Sequence, residues 1–79
     1  MSKKDLYRLE EEQSLATIAD FLEQKAEELR SGSISFSDEV TLELPEKIVL
    51  DIDVDQRDKT DVTATSVEIE LKWTEQQKS

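Results

Sequence analysis

The chain has 79 residues, and its 20 acidic against 10 basic side chains leave a formal net charge of −10 at neutral pH. It contains no cysteine and no histidine, which excludes disulfides, thiolate metal sites, the usual general base and the commonest metal ligand together. The surplus of negative charge repels nucleic-acid phosphates and anionic lipid, so neither is an expected partner.

A chain this short predicts one small domain over residues 1–79, with an ordered core at about residues 5–74 and a thin hydrophobic interior. No apolar run reaches the roughly 18 residues of a membrane span. Met1-Ser2-Lys3-Lys4 leads into Asp5 and further polar residues rather than a signal-like apolar stretch, so the expected location is the cytoplasm.

Asp5-Leu6-Tyr7-Arg8-Leu9 reads as a short first strand, followed by the acidic Glu10-Glu11-Glu12. Ser14 is a good helix N-cap, because its hydroxyl can accept a backbone N–H of the first turn. From there Leu15, Ile18, Ala19, Leu22, Ala26 and Leu29 recur every three or four residues and fall on one helix face, with Phe21 at its edge. Arg30 complements the negative end of the helix dipole, and Gly32 supplies a left-handed C-cap.

After Gly32 the apolar period changes to two. Ile34 and Phe36 alternate with serines, Ser37-Asp38-Glu39 interrupts, and Val40, Leu42 and Leu44 continue on the same parity, as in one strand with a kink. Pro45 cannot donate to a sheet ladder, so Pro45-Glu46-Lys47 reads as a hairpin tip. Ile48, Leu50, Ile52 and Val54 form the next strand, with Asp51, Asp53 and Asp55 on its outer face and Val49 as the one apolar residue facing outward. Gln56 to Asp61 is a charged loop, and Val62 to Trp73 is the last strand. Its run Val67-Glu68-Ile69-Glu70-Leu71-Lys72-Trp73 alternates without a break, so a slip of one residue would put the apolar set into water.

The expected fold is therefore α+β in the order β-α-β-β-β, with one amphipathic helix on one face of a four-stranded, mainly antiparallel sheet. Trp73 and Phe21 are the candidate aromatic anchors of its core. The helix, about 10–12 Å wide, leaves the margins of a sheet about 15–19 Å across uncovered. Those margins and the free strand edges admit a homodimer.

Ala19, Phe21, Leu22 and Gly32, the segment Val40-Thr41-Leu42-Glu43-Leu44-Pro45, and Val67 to Trp73 together resemble the amphi-Trp domain, a family of small bacterial and archaeal proteins. The likeness runs from about Leu6 to Trp73. It implies no particular activity, and no catalytic or binding residue is carried over from it.

Three constellations bear on chemistry. Asp51-x-Asp53-x-Asp55 opens like a calcium loop, which needs glycine at its sixth position and a bidentate glutamate at its twelfth. Gln56 and Val62 stand there, and Arg57 and Lys59 bring positive charge, so a solvated strand face is the reading and no metal or cofactor is expected. Glu43, Asp51, Asp53, Glu68 and Glu70 are expected to share the sheet face opposite the helix, where they form a candidate docking surface for a basic protein. Carboxylates open to water lack the burial that tunes an acid–base pair, so an enzyme is not expected. Trp73 could stack on a ligand, but closing the core is the commoner role of such a residue. The expected function is a small acidic interaction module of unspecified role. The alternative is a divalent-metal or small-ligand protein that uses the acidic face, and a mimic of nucleic-acid charge is a third reading without a motif behind it.

Overall fold

Ser14 and Gly32 set the limits of the only helix in the computed structural model, which describes residues 3–75. Helix α1 spans Leu15–Ser31, and Ser14 accepts the Thr17 N–H on its hydroxyl at 3.2 Å. Gly32 lies in the left-handed region at φ 89°, where its N–H closes on the carbonyls of Glu28 and Leu29. The strands are β1 (Ser33–Ser37), β2 (Val40–Glu43), β3 (Val49–Asp58) and β4 (Thr63–Lys72). The class is α+β, as expected. The strands form two antiparallel two-stranded sheets, β1–β2 and β3–β4, instead of one sheet of four. The chain divides into two compact units, Met1–Glu46 and Lys47–Ser79.

In the first unit α1 packs against β1. Ile34 is the one apolar side chain among the described residues to be buried, at 5% exposure. Ala26 is half-buried, whereas Leu15, Ile18 and Leu22 at the other end of the stripe stay exposed. The chain reverses at Asp38 and Glu39, where the Ser37 hydroxyl accepts the Glu39 N–H at 3.3 Å. The run expected as one kinked strand is thus a hairpin of two. Ser37 pairs with Val40, but Ser35 pairs with Thr41 and Ile34 with Leu42, which leaves Phe36 as a bulge. Without that extra residue Ile34 would face Glu43. The bulge restores an apolar pair, and that is why a slip is built in here. Pro45-Glu46-Lys47 is consequently not a hairpin tip, because β2 pairs back to β1 and β3 pairs with β4.

Residues 5–9 are not a strand. A strand exists only by pairing, and the outer edge of β1 is already occupied by helix side chains at Ser35. The segment instead lays the Tyr7 ring against Phe36, with ring centroids 5.6 Å apart.

In the second unit the ladder runs unbroken from Val49↔Lys72 to Asp58↔Thr63. Leu50↔Leu71, Ile52↔Ile69 and Val54↔Val67 make one face apolar. The apolar alternation stops at Val54 but the strand does not. Gln56 Nε2 donates to Thr65 Oγ1 at 3.1 Å, and Thr63 Oγ1 donates to Asp58 Oδ1 at 3.0 Å. These cross-strand polar pairs carry β3 through the stretch expected as a loop. The loop is shorter, closed by Lys59 N–H to the Val62 carbonyl at 2.7 Å.

Gly32→Ala tests the cap. A Cβ at this position meets nothing within 4 Å, so the cost is conformational alone. The variant should lose about 1 kcal/mol of stability in urea unfolding followed by helix signal, and Gly32→Asn should lose less.

Candidate functional site: a face of paired carboxylates

Pleating sends alternate side chains to opposite faces, so the apolar pairs of β3–β4 dictate what stands behind them. Asp51 lies directly opposite Glu70, and Asp53 opposite Glu68. Directly opposite residues have Cβ atoms about 4.5–5.5 Å apart. Four of the five carboxylates expected on this face are therefore gathered into two like-charged cross-strand pairs. Glu43 belongs to the first unit, where it ends β2 opposite Ser33.

The acidic patch is bounded by bases at both ends. Lys72 Nζ sits 3.3 Å from Asp51 Oδ2 and 3.8 Å from Glu70 Oε1. Toward the turn, Asp55, Arg57, Lys59, Ala64, Ser66 and Glu68 line a concavity of about 270 Å³. Asp53 and Glu68 between them have no ion-pair partner among the described residues. The side chains of Asp51 and Glu70 are 48% and 64% exposed, so the patch is open to water.

Asp51, Asp53 and Asp55 are successive same-face residues of an extended strand, about 6.8 Å apart, rather than a loop folded around an ion. Among the described residues no group of three or more acidic side chains is arranged to hold a metal. No helix among the described residues is long and apolar enough to cross a membrane.

Trp73 follows β4 directly, half-buried, and its indole N–H donates to Glu75 at 3.0 Å. Phe21 is 41% exposed and lies on α1 beside Lys25, whose ammonium is 5.3 Å from the centre of its ring.

That lysine belongs to a second constellation that pattern reading missed. Lys25 Nζ is also 5.0 Å from the centre of the Phe36 ring, bonds both carboxylate oxygens of Glu28 at 3.1 and 3.2 Å, and donates to the Ser35 carbonyl. Glu28 Oε1 accepts the Ser35 N–H at 2.8 Å. Both polar groups of one peptide unit's flanking residue are thus satisfied by an ion pair from the helix. The side chains are only 13% and 21% exposed, the least of any salt bridge among the described residues. The available signal was weak: opposite charges three apart on a helix that runs into an uncharged strand.

The Ser35 N–H holds the Glu28 carboxyl below its ordinary range; partial burial opposes this, and Lys25 and then Gln24 add to the lowering. A lowered folded-state value means the stabilisation is full above the ordinary carboxyl value and is lost as pH falls through the lower one. The Ser35 amide proton should therefore titrate with a midpoint below the ordinary glutamate value in an NMR pH series. A midpoint at or above that value would show that the bond does not discriminate between charged and neutral Glu28.

Over its whole length, residues 1–79, the chain matches the family model described as the Amphi-Trp domain. No curated protein and no solved structure matches it.

Proposed function

The chain belongs to the Amphi-Trp domain family, and we propose, from the geometry of its hairpin, that it is a small, acidic, non-enzymatic interaction module of the cytoplasm that docks a basic protein on the Asp51, Asp53, Glu68 and Glu70 face. The observation that carries this reading is the direct opposition of Asp51 with Glu70 and of Asp53 with Glu68. Like charges facing each other across a ladder cost stability. A partner that brings lysine or arginine to the face removes that cost on binding, and rim charges of this kind steer association and select partners.

The test is retention from lysate of the source organism at low and moderate salt. A basic protein held in stoichiometric amount, and lost when the four carboxylates become Asn or Gln, supports the reading. Retention that survives the substitution overturns it. The same substitution should stabilise the free protein, by about 0.2–1 kcal/mol for each relieved pair, in urea unfolding. Micromolar calcium or manganese that shifts the NMR signals of these residues specifically would instead favour the metal-binding alternative, although no three of the described carboxylates are arranged to hold an ion.

A further inference from the structure

We propose that Lys25 and Glu28 form a lock on the outer edge of β1, and that the strand this lock excludes is β1 of a second copy. Every other strand carries its own protection against edge-to-edge pairing. β2 ends in Glu43 with Pro45 close behind, β3 holds Asp51, Asp53, Asp55, Arg57 and Asp58, and β4 holds Glu68, Glu70 and Lys72. β1 reads Ser-Ile-Ser-Phe-Ser, with no charge and no proline, in a chain of which 38% is charged. An uncharged strand of alternating apolar residues at a sheet edge is what strand addition and aggregation select.

The protection is supplied from the helix. Ser35 is paired with Thr41, yet its N–H is taken by Glu28 and its carbonyl by Lys25, so both groups point away from β2. An incoming strand would offer one carbonyl and one N–H at this place. The carboxylate and the ammonium stand in for them, one accepting and one donating. Phe21 and Phe36 flank the ammonium and keep it partly desolvated, which strengthens the contact. The bulge at Phe36 adds a second, weaker deterrent by twisting the edge.

The excluded partner follows from charge. Two copies of a chain with net charge −10 repel. β1 is the one strand among the described residues that carries no charged side chain to set against its own copy. Its serine–apolar alternation is also complementary to itself in an antiparallel pair.

The experiment replaces both locking residues with methionine, Lys25→Met with Glu28→Met, which keeps side-chain length and helix propensity but removes both polar groups. Sedimentation from micromolar to millimolar concentration should show a dimer at least about tenfold tighter than any wild-type association. In that dimer the Ser35 amide should be protected from deuterium exchange, and adding Ser35→Lys should abolish it by restoring a charge to the edge itself. A double variant with native helix signal that keeps the wild-type mass throughout, or a dimer in which the Ser35 amide exchanges freely, overturns the proposal. Should the double variant not fold, Glu28→Gln decides, because it keeps an acceptor for Ser35 and loses only the ion pair. Faster Ser35 exchange in the dilute monomer, with protection regained in a new dimer at high concentration, supports the lock, and no change in either overturns it.

Discussion

An antiparallel ladder leaves its side chains no independent choice of face, and the second unit is organised by that constraint. Once Ile52 faces Ile69, Asp51 must face Glu70 and Asp53 must face Glu68. The hydrophobic pairing selects the register, and the register concentrates the carboxylates. The protein could disperse its negative charge only by giving up the apolar pairs or by changing the residues between them. The acidic face and the apolar face are thus two consequences of one pairing. A substitution that loosens Leu50↔Leu71 or Val54↔Val67 would disorder the charged surface without touching a charge.

The first unit solves a different problem. It has one buried apolar side chain among the described residues, so little hydrophobic stabilisation is available to hold the helix against the hairpin. Specific polar contacts take a larger share. Lys25 meets two aromatic rings, a carboxylate and a carbonyl, while Gly32 ends the helix and accepts the Leu44 N–H at 2.9 Å on its own carbonyl. Partly buried charges cost desolvation, and they are tolerated when every donor is used. Here the ammonium has as many partners as it can hold.

Elements set by local chemistry were legible. Ser14 and Gly32 bound the helix as capping chemistry requires, and the alternation from Leu50 to Val54 and from Val67 to Trp73 gave the correct faces of the hairpin. What was not legible depends on contacts between distant residues. Residues 5–9 have a strand-like pattern but find no strand to pair with. Ile34 and Phe36 share parity with Val40 and Leu42, which suits one kinked strand as well as a bulged hairpin, and periodicity alone does not separate them. Gln56, Arg57 and Asp58 look like a loop because hydropathy reports burial, whereas strand identity rests on backbone pairing. Of the candidate site, the four hairpin carboxylates were legible because parity places them. The Lys25–Glu28 pair was not, because nothing local marks which helix side chains will reach the backbone of β1.

The bases at the two ends of the acidic patch have a geometric consequence. Along the polar face of the hairpin the sign of charge runs from Lys72 through the carboxylates to Arg57 and Lys59. That order is nearly palindromic, so the ribbon has little electrostatic polarity along its length: its net negative charge is centred between two positive ends. That charge attracts a basic partner from a distance but does little to orient it along the ribbon, and a uniformly cationic rod is a poorer match than a segment whose positive centre has acidic flanks. Head and tail are distinguished by shape instead, since Trp73 stands at the Lys72 end and a tight turn at the other.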